Sequence, residues 1–130
     1  MNKLITETYH DFNKGEVVIV DFGKGFLSEK SGVRPAVIVS SNLINHTSDN
    51  IIVAPLTKSF NKKTDKGLTK LLATHIYLSE RYYSRLGYSS IIQLEDMRSI
   101  SKKRVKGKLE TLSRQNYNEM NNKLRKTLDI

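Results

Sequence analysis

Residues 15–22 read GEVVIVDF, residues 34–41 read RPAVIVSS and residues 50–56 read NIIVAPL. Each is a short apolar run rich in valine and isoleucine, closed off by Gly, Pro, Ser or Asn. That is the composition of a buried β-strand, because branched side chains are stiff at χ1 and pack well on a pleated surface. Pro35 stands at the start of its run, where it withholds no ladder hydrogen bond, whereas Pro55 is expected to end the third strand. His75–Leu78 and Ser90–Leu94 read as two more short strands, the second extending towards Met97.

The segments between these runs lack helical period. Gly23–Gly32 (GKGFLSEKSG) is a glycine-rich loop, Asn42–Asn50 a polar connection and Lys58–Lys70 a long basic loop. Arg98–Lys108 is a basic stretch with a turn signal at Gly107. Ser113 then suits the N-cap of a last helix, in which Tyr117, Met120, Leu124 and Leu128 recur at spacings of three and four and form one apolar stripe. Lys123, Arg125 and Lys126 fall near its C-terminus, where cations suit the helix dipole. Strands joined by loops and followed by one helix predict a mainly β protein, an antiparallel barrel or sandwich rather than a parallel α/β sheet. The 130 residues suit a single domain over 1–130, with residues 1–13 a possible N-terminal arm.

The formal net charge of +9 favours an anionic partner such as nucleic acid, acidic lipid or an acidic protein segment. The absence of cysteine excludes disulfides, thiolate chemistry and cysteine-based zinc sites. With no secretory signal pattern and no apolar run of membrane-spanning length, the expected location is cytoplasmic. The charge is clustered. Lys58, Lys62, Lys63, Lys66 and Lys70 crowd one segment, and Arg98, Lys102, Lys103, Arg104, Lys106 and Lys108 another. A charge run usually marks a solvated face, but such clusters also gain from counterion release on a phosphate backbone.

Three ordered pieces carry a family resemblance. SEKSGVRP at Ser28–Pro35 runs into AVIVSS, the third strand ends in PLT at Pro55–Thr57, and IIQLEDMRSI occupies Ile91–Ile100. Together they resemble the MazF/PemK (Kid-like) family of type II toxin–antitoxin endoribonuclease toxins, over roughly Lys14 to the C-terminus. The resemblance implies an SH3-like small β-barrel with a C-terminal α-helix, the CcdB/PemK-like plasmid maintenance toxin fold. It implies a homodimer, cleavage of single-stranded RNA with no metal and no cofactor, and inhibition by a cognate acidic antitoxin. It places the key arginine on Arg34, the strand-end hydroxyl on Thr57, and the acidic candidates on Glu29, after Ser28, and Glu95. An arginine three residues beyond falls on Arg98. Lys30 and Asp96 stand where the family often has glutamine, and Gln93 stands where one relative has a basic catalytic residue.

RNA carries its own nucleophile. The 2′-hydroxyl attacks the adjacent phosphorus if a base takes its proton, charge on the phosphate is stabilised and the leaving 5′-oxygen is protonated. Arg34 suits the phosphate, because a guanidinium presents a planar, permanently charged fork of donors. A lone strand-end arginine is more often half of a surface ion pair, but the position after Gly32 and before Pro35 points to a site. Thr57 has a hydroxyl for the same phosphate, although a strand-end threonine is commonly structural. Glu29 and Glu95 are the candidate bases, with the sequence leaning to Glu95; the bland reading of Glu29 is a solvated loop residue, and of Glu95 an exposed strand-end charge paired with Arg98 or a lysine. Lys58 belongs with the RNA-binding candidates Ser28, Lys30, Gln93, Asp96 and Arg98, and Phe26 and Phe60 are placed to stack unpaired bases. Tyr82, Tyr83 and Tyr88 read as core or interface. His10, His46 and His75 show no acid–base spacing, and His75 reads as a partly buried strand residue. Two alternatives stand beside the ribonuclease: a non-catalytic CcdB-like toxin of DNA gyrase, disfavoured by the lack of any tryptophan, and a non-catalytic RNA-binding barrel.

Overall fold

The computed structural model describes residues 12–25, 31–59 and 71–130. The strands are β1 (Glu16–Asp21), β2 (Val33–Ile38), β3 (Asn50–Lys58), β4 (His75–Leu78), β5 (Ser90–Gln93), β6 (Arg98–Ser101) and β7 (Val105–Thr111). The helices are α1 (Asn42–Thr47) and α2 (Arg114–Leu128). All strand pairings are antiparallel, in the order β4-β5-β3-β2-β1-β7, with β6 also paired to β3.

The apolar runs are continuous rather than alternating because both faces of the central strands are covered. On one face Val17, Val37, Ala54 and Leu56 join Ile76, Leu78, Ile92 and Leu94 under Met120 of α2. On the other, Val18, Val20, Ala36, Ile38, Ile51 and Val53 pack with Phe12, Phe22 and Ile100, and Val105 leans against them. Strands β7, β1, β2, β3 and β6 therefore curl around the second core, and α2 closes the first. Among the described residues the sheet does not close, since β4, β6 and β7 each pair with a single neighbour, but the wrap is that of a small β-barrel. Burying Met120 completely contributes about 1.5–3 kcal/mol, and Tyr117 and Leu124 pack against the same core. Leu128, at the end of the stripe, remains half exposed. Ser113 caps α2, its hydroxyl accepting from the Asn116 amide at 3.1 Å.

Four expectations need correction. Strand β3 does not end at Pro55 but runs on to Lys58. On one flank it pairs with β6 as far as Val53 and with β5 from Leu56 onwards, so Pro55 stands at the change of partner, where a missing N–H costs that flank no ladder bond. The Ser90 strand stops at Gln93, and Leu94–Asp96 forms a 3₁₀ turn rather than an extension to Met97. Asn42–Asn50 contains α1, begun by the Ser41 side chain accepting from Ile44 N–H. The Arg98–Lys108 segment is two strands around a 3₁₀ turn at Lys102–Arg104, and Gly107 lies inside β7 opposite Ile19. Among the described residues no helix is long and apolar enough to cross a membrane.

Candidate active site

Two glycines shape the approach to the site. Gly23 and Gly32 both have φ in the left-handed region, where a side chain is strained. They close the neck of the loop between β1 and β2: Gly32 N–H donates to Gly23 O at 2.7 Å and Phe22 N–H to Gly32 O at 2.9 Å. Asp21 Oδ1 accepts from Gly23 N–H at 2.8 Å. The chain thus enters β2 at a fixed point, two residues before Arg34.

Arg34 and Thr57 then meet across the sheet. The register pairs Ala36 with Pro55, two residues from Arg34 on β2 and from Thr57 on β3, so both side chains share the face of that pair, and Thr57 pairs with Ile91 on its other side. Directly paired residues project from the same face. That face is the one whose earlier residues, Ala36, Ile38, Ile51 and Val53, line the second core. Arg34 and Thr57 emerge where β6 no longer covers it, because β6 pairs with β3 only as far as Val53. They line a cleft of about 320 Å³ together with Val33, Pro35, Leu56, Lys58, Tyr88 and Ser90.

Among the described residues, Arg34 and Thr57 are largely uncommitted. Arg34 is half-buried, and its Nε–H donates to the Ser31 carbonyl at 3.2 Å. Among the described residues no carboxylate lies within ion-pair distance of it. The half-buried Thr57 hydroxyl has no hydrogen-bond partner there either. Beside them the Lys58 ammonium lies over the Tyr88 ring, 4.4 Å from its centroid. The Arg34 guanidinium, the Thr57 hydroxyl and the Lys58 ammonium thus stand around one opening.

Glu95 is committed elsewhere. His75 pairs with Gln93, which brings the start of β4 to the end of β5. There the Glu95 carboxylate accepts from Thr74 Oγ1 at 2.6 Å and from His75 Nε2 at 2.9 Å. Leu72 N–H donates to His75 Nδ1 at 3.3 Å, which puts the ring proton on Nε2, facing Glu95. Burial alone would raise the Glu95 carboxyl, but the hydrogen bonds from Thr74, His75 and its own backbone N–H hold it below the usual value. Lys123 of α2 donates to the His75 carbonyl at 2.6 Å and pairs with Glu119 at 3.2 Å. The group clips β4, β5 and α2 together, and Glu95 does not line the cleft.

The other candidates are dispersed. Gln93 shares the Thr57 face two residues along β5, and its Oε1 is buried without a hydrogen bond. Asp96 is half-buried in the turn that follows. The Arg98 guanidinium lies 5.7 Å from the Phe22 ring centroid at the start of β6. The second basic cluster is not one solvated face, since Lys102 is buried, Arg104 donates to Asp21 O and Lys108 pairs with Glu16 at 3.4 Å. Phe26, Ser28, Glu29, Lys30, Phe60, Lys62, Lys63, Lys66, Lys70 and His10 lie outside the described residues. Of the three tyrosines read as core or interface, Tyr83 is buried, Tyr82 is exposed, and Tyr88 stands in the cleft wall. Tyr88 was reachable from sequence only through the β3–β5 register, which sets it diagonally across from Lys58.

The model of the PemK-like, MazF-like toxins of type II toxin–antitoxin systems matches residues 13–128, all but the ends of the chain. The chain belongs to this family. It is 35% identical over 111 residues to the endoribonuclease MazF of Staphylococcus epidermidis, across 85% of this chain and 86% of that protein. The fold is shared with the MazF crystal structure (Form-I) from Deinococcus radiodurans, at a TM-score of 0.71 and 20% identity, over 92% of this chain and 97% of that one. It is shared also with a mycobacterial endoribonuclease in complex with its cognate antitoxin, at a TM-score of 0.69 and 18% identity, over 92% and 96% of the two chains. The small barrel with a C-terminal helix is therefore the MazF/PemK toxin fold, and the Arg34–Thr57 cleft opens at the end of its second core.

Proposed function

We propose that this protein is the toxin of a type II toxin–antitoxin system, an endoribonuclease that cuts single-stranded RNA in the cytoplasm as a homodimer and is silenced by a cognate acidic antitoxin. Its membership of the MazF/PemK family and its 35% identity to a MazF endoribonuclease support this. The observation that carries the chemistry is the juxtaposition on one open cleft of Arg34 and the Thr57 hydroxyl, which among the described residues have no carboxylate partner and no hydrogen-bond partner respectively.

In this mechanism the 2′-oxygen forms a bond to the neighbouring phosphorus as the bond from phosphorus to the 5′-oxygen breaks. The products are a 2′,3′-cyclic phosphate and a 5′-hydroxyl. The nucleophile and electrophile are both in the RNA, so the protein positions them, balances charge and moves two protons. Arg34 takes two phosphate oxygens as negative charge builds there, and the Thr57 hydroxyl donates to the same group. Glu95 is a poor base, because its carboxyl is held below the usual range and already accepts from two side chains. Proton abstraction is therefore assigned to Glu29, five residues before Arg34 in the sequence, and Arg34, beside the phosphate, gives the leaving 5′-oxygen its proton and regains one from water. The net charge of +9 adds long-range attraction for the RNA chain.

The test is to incubate the purified protein with a mixed single-stranded RNA pool in EDTA and map the ends. Cuts at a short recurring sequence with cyclic phosphate and 5′-hydroxyl termini are expected. Intact RNA, together with inhibition of DNA gyrase, would replace this reading with the CcdB-like one.

A further inference from the structure

Lys58 and Tyr88 form a unit that the reaction outlined above does not use. Lys58 ends β3 and pairs directly with Ser90 at the start of β5. Tyr88, two residues before Ser90, stands diagonally across from it, within reach of a long side chain. The mount is fixed at several points: Ser59 N–H donates to Ser89 O at 2.9 Å, Ser90 Oγ donates to Tyr88 O at 3.2 Å, and Ser90 itself is buried. Tyr88 is 37% exposed, and its ring carries the Lys58 ammonium 4.4 Å from its centroid in the wall of the Arg34–Thr57 cleft. A free lysine samples many rotamers at an entropic cost on binding. An ammonium held over an aromatic face keeps its charge and loses part of that freedom before the ligand arrives.

We propose that Lys58 seats a second RNA backbone phosphate, the one neighbouring the scissile diester, and that Tyr88 is a positioning residue that aims it. This deepens the ribonuclease reading and rests on it. The two cations divide the task. Arg34 has the planar fork suited to the reacting phosphate, whereas Lys58 is a point charge that suits a phosphate which only has to be held. The contact fixes the register of the RNA along the cleft without reading a base, as backbone contacts do.

The experiment measures binding of a 2′-O-methyl RNA oligonucleotide, which cannot be cut by this route, across a salt series for wild type, Lys58→Gln, Tyr88→Leu, Tyr88→Phe and the double variant Lys58→Gln/Tyr88→Leu. Loss of one phosphate contact lowers the slope of log K against log salt by about 0.7 for a single strand, which is about fivefold in affinity at 0.1 M salt. Lys58→Gln should show the full change and Tyr88→Leu a change in slope of the same sign. Tyr88→Phe, which keeps the ring, should match wild type, and the double variant should match Lys58→Gln alone. An unchanged slope in Lys58→Gln overturns the phosphate seat. A further loss when Tyr88→Leu is added to Lys58→Gln overturns the positioning role, because the ring would then touch RNA directly. If wild type binds the oligonucleotide as expected yet never cuts its cleavable counterpart, the ribonuclease reading fails while the salt slopes still decide this one.

Discussion

Arg34→Ala is expected to lower kcat by about 10²–10³ while leaving the fold intact. The structure separates the two effects. The side chain is half-buried, and its hydrogen bond to the Ser31 carbonyl, at 3.2 Å, lies in an exposed setting. Removing such a bond costs about 1 kcal/mol or less of stability. No carboxylate among the described residues is left as an orphaned charge by its loss. Removing a donor aimed at the charge of a transition state costs about 2.7–4 kcal/mol of activation free energy. Arg34→Lys keeps a charge but loses the two-oxygen fork, so it should fall between alanine and wild type. The assay pairs single-turnover cleavage of a fluorescent RNA oligonucleotide with urea unfolding of each variant. Full activity in Arg34→Ala would remove Arg34 from the mechanism. An activity loss matched by a comparable loss of stability would make its role structural.

Further outcomes follow from the same geometry. Glu29→Gln should abolish most cleavage near neutral pH, whereas Glu95→Gln should retain most of it; the reverse result would return the base to Glu95. Glu95 has a folded pKa below its unfolded one, so its stabilising share is present above the ordinary carboxylate pKa and fades as pH falls through the folded value. Unfolding curves of wild type and Glu95→Gln should therefore differ at pH 7 and draw together only as pH falls below the ordinary carboxylate range, and an offset that persists in strong acid would contradict the assigned cause. Gly15 has φ +91°, and a Cβ there would stand 2.8 Å from Tyr117 Cδ1. Gly15→Ala should cost about 1–2 kcal/mol from backbone strain alone and more from displacing the ring, read as a fall of several degrees in Tm; an unchanged Tm would contradict both the strain and the contact.

The strands that bury both faces were legible in the sequence, because valine and isoleucine fill GEVVIVDF and AVIV without interruption. So was α2, through the Ser113 cap and the Tyr117–Met120–Leu124 stripe. Strands β6 and β7 were not, because Lys106 and Lys108 occupy the exposed positions of a strand with few apolar partners, and Gly107 between them imitates a turn. The helix α1 is too short to display a period, although its Ser41 cap was present. Pro55 misled because its effect depends on which neighbour the strand has at that point. Arg34 and Thr57 could be named from the ordered motifs, but their meeting needs the β2–β3 register. The engagement of Glu95 by Thr74 and His75 is likewise a consequence of the β4–β5 pairing, which no local pattern encodes.

The decisive measurement uses two RNA oligonucleotides that differ by one atom, the 2′-oxygen of the nucleotide on the 5′ side of the cut. With the hydroxyl present, the protein should produce a cyclic phosphate at that nucleotide. With hydrogen in its place the strand should bind with similar affinity and stay whole. Cleavage of the deoxy strand at the same bond would mean that another nucleophile attacks, and the role given to the Arg34–Thr57 cleft would be wrong.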